Sequence, residues 1–89
     1  MELSELMPQL KQLIISECEK TELTVDAISD LEVLFGENTQ VNLDSLDALQ
    51  IAVAIKNRYG VRIEGGVESR EAFMNVRSLA QYVISHSPV

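Results

Sequence analysis

Residues 42–60 decide the fold, and they read NLDSLDALQIAVAIKNRYG. Asp44 is a typical helix N-cap, and Asp47, three residues later, takes the place of the acidic residue in a capping box. Gly60 follows two basic residues, at a position where a helix C-terminus commonly adopts a positive φ. The stretch therefore predicts a single helix from Ser45 to Tyr59.

The apolar residues of this helix predict that it is central to the fold. Leu46, Leu49 and Val53 recur at helical spacing and are predicted to face the core. Further apolar residues occupy the adjoining rows, namely Ala48, Ile51, Ala52, Ala54 and Ile55. Because successive residues of a helix project about 100° apart, Ser45 is predicted to point away from Leu46, with its hydroxyl exposed at the positive end of the helix dipole.

The segment from Asp44 to Asp47, followed by an apolar helix and YGVRI at 59–63, resembles the attachment motif of acyl carrier proteins and the wider phosphopantetheine-binding family. The resemblance covers nearly the whole chain and is strongest over residues 34–63. It implies that Ser45 carries 4'-phosphopantetheine as a phosphodiester, and that the thiol of this arm holds an acyl group as a thioester. It also implies a carrier acted on by separate enzymes, and not an enzyme.

The resemblance further implies the partners of such a carrier. A phosphopantetheinyl transferase would attach the arm, and acyltransferase- and ketosynthase-type enzymes with basic docking surfaces would act on the thioester, as in fatty acid or polyketide biosynthesis. Asp44, Leu46, Asp47 and Glu37 are the residues expected to contact these enzymes. In the family, an acyl chain can lie along the bundle core, although small alanines such as Ala48 and Ala52 also simply permit close helix packing.

The second half of the helix departs from the familiar fatty-acid carriers. Where those carriers show exposed glutamates, this chain has Gln50, Lys56, Asn57 and Arg58. This difference favours a stand-alone carrier from a specialised pathway, of the polyketide or aryl-polyene kind. Two alternatives stay open: a peptidyl or aminoacyl carrier, and a small acidic adaptor that binds a basic partner through the same helix, with Ser45 only part of a helix cap.

Length and charge restrict the function further. The chain has 89 residues, 46% of them hydrophobic, and a formal net charge of −7, which is consistent with one folded domain over residues 1–89. Its first 47 residues hold 11 acidic side chains against Lys11 and Lys20. Such a surface repels nucleic acids and anionic lipid headgroups, so we expect no nucleic-acid partner and no membrane insertion. We expect a monomer.

Several other chemistries are not predicted. His86 is the only histidine and Cys18 the only cysteine, so neither a typical zinc site nor an intrachain disulfide is expected. Cys18 lies four residues after Ile14, on the apolar side of a predicted helix, and is expected in the core. Ser45 lacks the surroundings of a hydrolase nucleophile. With no leader sequence and no apolar run of membrane-spanning length, the expected location is the cytoplasm.

The region before residue 42 predicts one helix and a long loop. A first helix starts near Leu3 and fades near Lys20, with Pro8 in its first turn, capped by either Ser4 or Met7. Its apolar face comprises Leu3, Leu6, Met7, Leu10, Leu13, Ile14 and Cys18. Between residues 22 and 43 apolar residues recur at helical spacing, namely Val25, Ile28, Leu31, Leu34 and Phe35. The family resemblance instead implies a long loop here, with one short helical turn, anchored to the bundle by residues 34–36.

The region after residue 60 predicts two more helices. Val61 and Ile63 are expected to cover the core from an extended connection. Ser69 is predicted to cap a short helix that runs through Met74, with Phe73 and Met74 as core contacts. Asn75 is predicted to cap the last helix, and residues 85–89 to fray. The inward row of that helix is Val76, Leu79, Ala80 and Val83. The result is an all-α fold, a small four-helix bundle of three main helices and one short one with a long first loop.

Overall fold

The computed structural model describes residues 2–35, 39, 41–63 and 67–87. Its helices are α1 (Leu3–Glu17), α2 (Ser45–Tyr59), α3 (Val67–Ala72) and α4 (Val76–His86), and a 3₁₀ turn, Val25–Ala27, lies in the connection between α1 and α2. Within the described ranges, the extended backbone forms only an isolated parallel bridge between Phe35 and Leu43. The predicted all-α bundle, with three main helices, one short helix and a long first loop, is confirmed.

Helix α1 is the centre of the bundle, a place that the sequence had assigned to α2. It packs against both α4 and α2. Its buried side chains come from more than one row of the helix: Leu6, Leu10, Leu13, Ile14 and Ile15. Burial of a large aliphatic side chain contributes about 1.5–3 kcal/mol, so these residues supply much of the stability of a small domain.

The start of α1 at Leu3 is confirmed, but its cap residue differs from the prediction. The cap residue is Glu2, whose carbonyl accepts the Leu6 N–H at 3.0 Å, so Ser4 and Met7 both lie inside the helix. Pro8 is also internal and cannot donate a hydrogen bond to the preceding turn. The full burial of Leu6, one turn into the helix, favours helical structure on both sides of Pro8. At its other end the helix stops at Glu17, slightly before Lys20.

Helix α2 has the predicted ends but a different buried face. Its bounds, its Asp44 N-cap and the left-handed Gly60, at φ 72°, are confirmed. Its buried residues are Ile51 and Ile55, and the predicted inward row of Leu46, Leu49 and Val53 is exposed. The helix is apolar on two sides, and periodicity alone does not tell which side meets the core.

Hydrogen bonds and an ion pair fix the long loop to the bundle around Leu34 and Asp30. Leu34 is fully buried, its N–H donates to the Met74 carbonyl at 3.2 Å, and its carbonyl accepts the Leu43 N–H at 3.0 Å. This confirms the predicted anchor for Leu34; Gly36 lies outside the described residues. Earlier in the loop, the Asp30 carboxylate pairs with Lys11 Nζ at 2.6 Å, and the Asp30 carbonyl accepts the Arg77 N–H at 3.0 Å.

The C-terminal region follows the prediction in part. Val61 is buried and Ile63 packs partly against the core, as expected. Ser69 lies inside α3 and does not cap it, because the helix already begins at Val67.

Phe73 and Met74 were both predicted as core contacts, but only Phe73 is buried. Phe73 is buried and meets Phe35 edge to face, with ring centroids 5.9 Å apart, whereas Met74 is 56% exposed. Met74 follows the end of α3. Its side chain points outwards, while its carbonyl accepts the Leu34 N–H from the loop.

Helix α4 has the predicted cap and core row. Asn75 Oδ1 accepts the Ser78 N–H at 2.7 Å, and Ser78 Oγ accepts the Asn75 N–H at 3.0 Å, which completes a capping box. All four residues of the predicted inward row are buried. The helix extends through His86, so Ser85 and His86 are ordered parts of it and not a frayed tail. Pro88 and Val89 lie outside the described residues.

Candidate functional site

The first turn of α2 holds most of the predicted site residues in one closed hydrogen-bonded unit. Asp44 Oδ1 accepts the Asp47 N–H at 2.9 Å, and Asp47 Oδ2 accepts the Asp44 N–H at 3.1 Å. The Asp44 carbonyl accepts the Ala48 N–H at 3.0 Å. Both carboxylates are therefore held by main-chain donors, and the capping box leaves the first two N–H groups of the helix, those of Ser45 and Leu46, without an intrahelical acceptor.

Ser45 is exposed, but the predicted reason for its exposure was wrong. It lies one helical turn before both Ala48 and Leu49, so it projects from the border between the packed side of α2 and the exposed row. Its side chain is accessible because it stands at the first residue of the helix, before the buried Ile51 and Ile55. On its packed side, Ser45 lines a groove that the loop and α3 share with α2.

Cys18 contacts the main chain of the same helical turn. The thiol donates to the Asp47 carbonyl, with 4.0 Å between the sulfur and the oxygen. Burial, together with the nearby Asp47, raises the pKa of Cys18 from 9.0 to about 12. The thiol is consequently protonated at neutral pH, and a protonated thiol is a poor nucleophile. The half-buried Cys18 belongs to the packing between the end of α1 and the start of α2.

A groove opens beside Ser45, between the long loop, the start of α2 and the end of α3. It has a volume of about 620 Å³, within the range of roughly 300–1,000 Å³ that is usual for small-molecule sites. Its lining is mostly apolar and comprises Val33, Phe35, Leu43, Asp44, Ser45, Ala48, Arg70, Phe73 and Met74. The Leu34 hydrogen bonds to Leu43 and Met74 hold the two walls together.

Among the described residues, Arg70 is the one cationic residue that lines this groove. It is exposed on α3, and within the part of the chain that the structure describes its guanidinium has no ion-pair or hydrogen-bond partner. Asp44 lines the groove as well, but its carboxylate accepts the Asp47 N–H and makes no ion pair with Arg70. The groove thus combines apolar walls, one available cation and one exposed hydroxyl.

The other side of α2 presents the exposed apolar row. Leu46, Leu49 and Val53 are 64%, 61% and 51% exposed. They line a shallow depression of about 500 Å³ together with Glu17, Gln50, Ala54 and Asn57. Large apolar side chains that follow one another along a helix, with polar neighbours, are typical of protein-binding surfaces.

The structure brings together some of the predicted site residues and adds others. Asp44, Ser45, Leu46 and Asp47 form one helical turn, whereas Glu37 lies outside the described residues. Sequence reasoning missed Val33 and Arg70 as neighbours of Ser45, and it treated Phe73 and Met74 only as core residues. No local pattern links these residues, because the loop and α3 meet α2 only through the tertiary fold.

The described residues contain no group of three or more His, Cys, Asp or Glu side chains arranged to hold a metal ion. His86 stacks on Tyr82, with ring centroids 4.0 Å apart. In the ranges that the structure describes, no helix combines the length and apolarity needed to cross a membrane. Comparisons with known proteins find no match for this chain, neither a protein-family model, nor a curated protein, nor a solved structure.

Proposed function

We propose that this chain is an acyl carrier protein in which Ser45 carries a 4'-phosphopantetheine arm. The arm would hold acyl or polyketide intermediates as thioesters and present them to separate enzymes. The observation that carries the proposal is the position of Ser45, an exposed hydroxyl on the first residue of a well-capped helix. The sequence around this hydroxyl resembles the attachment motif of phosphopantetheine-binding carriers.

The start of α2 suits a phosphodiester. The N–H groups of Ser45 and Leu46 have no intrahelical acceptor, and the helix dipole adds partial positive charge there. Asp44 and Asp47 would repel a phosphate, but their carboxylates already accept main-chain N–H groups and so are held in the capping box. These two residues keep the helix start in place and offer negative charge to a basic transferase surface.

Attachment needs no catalytic group from this chain. A phosphopantetheinyl transferase would join Ser45 Oγ to the phosphorus that bears pantetheine, while the pyrophosphate bond of coenzyme A breaks. Adenosine 3',5'-bisphosphate would leave, and the hydroxyl proton would pass to the transferase. Once attached, a flexible arm raises the effective concentration of its thioester at any enzyme that docks on the carrier.

Incubation with coenzyme A and a promiscuous phosphopantetheinyl transferase tests the proposal, with intact mass as the measurement. We expect the mass to increase by one arm in the wild-type chain and in Ser4→Ala, and to stay unchanged in Ser45→Ala. Ser4 is a matched control because it is also an exposed serine in the first turn of a 15-residue helix. No mass increase in the wild-type chain would refute the carrier proposal.

The exposed row of Leu46, Leu49 and Val53 favours a second candidate, a non-carrier adaptor that binds a basic partner protein through α2. An adaptor would show no labelling of Ser45, and its partner binding would survive Ser45→Ala but weaken in Leu49→Gln. A peptidyl or aminoacyl carrier would be labelled like an acyl carrier. It would then accept an aminoacyl group from an adenylating enzyme in place of an acyl group from an acyltransferase.

A further inference from the structure

We infer that the groove between the loop, α2 and α3 is the resting place of the arm on Ser45, and that Arg70 binds the phosphodiester of that arm. This inference rests on the proposed carrier function. It assigns the arm to a surface groove outside the buried core of the bundle.

The first step of the argument is proximity. Ser45 itself lines the groove, so the groups of the arm nearest to the attachment point are tethered at its mouth. A tether of this kind gives a high local concentration, and binding the near end of the arm requires closure of only a short loop. The distal thiol has no such advantage, so the near half of the arm is the expected occupant.

The second step is chemical complementarity. The near half of the arm contains an anionic phosphodiester followed by a carbon that bears two methyl groups. The groove offers one guanidinium without a partner in the described residues, from Arg70, and apolar walls that include Val33, Leu43 and Met74. A guanidinium matches the geometry of phosphate oxygens, and the apolar walls match the two methyl groups.

The third step concerns the rest of the molecule. Of the other basic residues, Lys11 is paired with Asp30, Lys56 and Arg58 belong to the opposite end of α2, and Lys20, Arg62 and Arg77 do not line the groove. The core beneath the groove is closed by fully buried side chains such as Leu34, Ile51 and Val76. Among the described residues, this groove combines a cation with an open apolar surface at Ser45 itself, which would direct the arm along α3.

The experiment compares apo and holo protein by NMR. The holo protein is made with coenzyme A and a promiscuous transferase, and its loading on Ser45 is first established by intact mass. We expect loading to shift the backbone amides of residues 33–35 and 73–74, and the methyl groups of the arm to show NOEs to Met74 and Leu43. Shifts confined to the residues that flank Ser45, without such NOEs, would overturn the inference alone. Failure to load would refute the carrier function and the inference with it.

Arg70→Gln tests the role of the cation, with Arg58→Gln as its control. Because exposed ion pairs are weak, we expect Arg70→Gln to reduce the loading-induced shifts at residues 73–74 by roughly twofold to fivefold, and Arg58→Gln to leave them unchanged. Addition of salt to the wild-type holo protein should act in the same direction. Equal shifts in both variants and at both salt concentrations would show that Arg70 does not bind the phosphodiester.

Met74→Ser tests the apolar wall, with Val53→Ser as its control. Both residues are exposed by about half, at 56% and 51%, but only Met74 lines the groove. We expect Met74→Ser to abolish the NOEs from the arm to this wall and to reduce the shifts at residues 33–35, while Val53→Ser changes neither. A holo spectrum that is equally sensitive to both substitutions would overturn the assignment of the groove.

Discussion

Helices α1 and α2 have the same length, 15 residues, but they have opposite relations to the core. Helix α1 buries five side chains against its neighbours, whereas α2 buries two and leaves Leu46, Leu49 and Val53 exposed. The two helices are linked directly as well, since the Tyr59 hydroxyl donates to Gln9 Oε1 at 2.9 Å. Equal length and similar apolar content therefore do not imply equal structural roles.

The two helices differ in what stabilises them and in how much of their surface is accessible. Helix α1 has no side-chain cap and contains a proline, so its position depends on tertiary packing. Helix α2 has a complete capping box and a left-handed glycine at its end, so much of its definition is local. A helix that is well defined at its ends needs less burial, and this leaves its first turn and one apolar row free for other molecules.

The largest expected effect comes from opening the core on α1. Leu10 is fully buried, and Leu10→Ala should lower the free energy of unfolding by about 2–5 kcal/mol because it removes apolar contacts and leaves a cavity. Urea unfolding followed by circular dichroism measures the loss. The control Gln12→Ala, at an exposed site of the same helix, should change stability by less than about 0.5 kcal/mol. If Leu10→Ala proves too unstable to fold, Ile14→Val should cost about 0.5–1.5 kcal/mol.

The helix caps provide the next effect, and here α2 should be the more sensitive helix. Asp44→Ala removes the acceptor of the Asp47 N–H and should cost about 1 kcal/mol. Glu2→Ala at the cap of α1 should cost less than about 0.5 kcal/mol, because the Glu2 side chain makes no capping hydrogen bond. The same unfolding measurement compares the two variants. A larger loss of stability from Glu2→Ala than from Asp44→Ala would mean that α1 depends on its cap residue more than α2 does.

A smaller effect is expected from the ion pair that ties the loop to α1. Asp30→Asn removes the charge opposite Lys11, whose side chain is largely covered, and should cost up to about 1 kcal/mol at low salt. The difference from the wild-type chain should shrink as salt is added, since screening weakens the pair. Glu32→Gln, in the same loop, is a suitable control. A loss of stability that does not depend on salt would assign the effect to packing and not to charge.

The features of the fold that depend on local chemistry were predicted from the sequence. The ends of α2, its capping box, the Asn75 cap and the inward row of α4 all follow from short spacings, and all are present. The predictions failed where the sequence is compatible with more than one local structure. Pro8 suggested Ser4 or Met7 as the cap of α1, but the cap is Glu2, and the helix begins at Leu3 as predicted.

The candidate site was predictable only in its first turn. The exposure of Ser45 was correct, but the row of Leu46, Leu49 and Val53 was wrongly expected in the core, because α2 has apolar residues on two sides and only the fold decides which side is buried. Val33, Arg70 and Met74 meet Ser45 through contacts between elements far apart in the chain. A single sequence carries no local signal for contacts of this kind.

The smallest expected effect is on the exposed row of α2. Leu49 is 61% exposed, so Leu49→Gln removes little buried area and should change the free energy of unfolding by less than about 0.5 kcal/mol. Ile51→Ala, two residues further on the same helix, should cost about 2–5 kcal/mol because Ile51 is fully buried. Since both residues lie in the middle of α2, helix propensity contributes similarly to the two variants, and the difference reports burial. A loss of more than about 1 kcal/mol in Leu49→Gln would mean that this row packs against the chain itself, and it would remove the basis for treating that side of α2 as open to a partner.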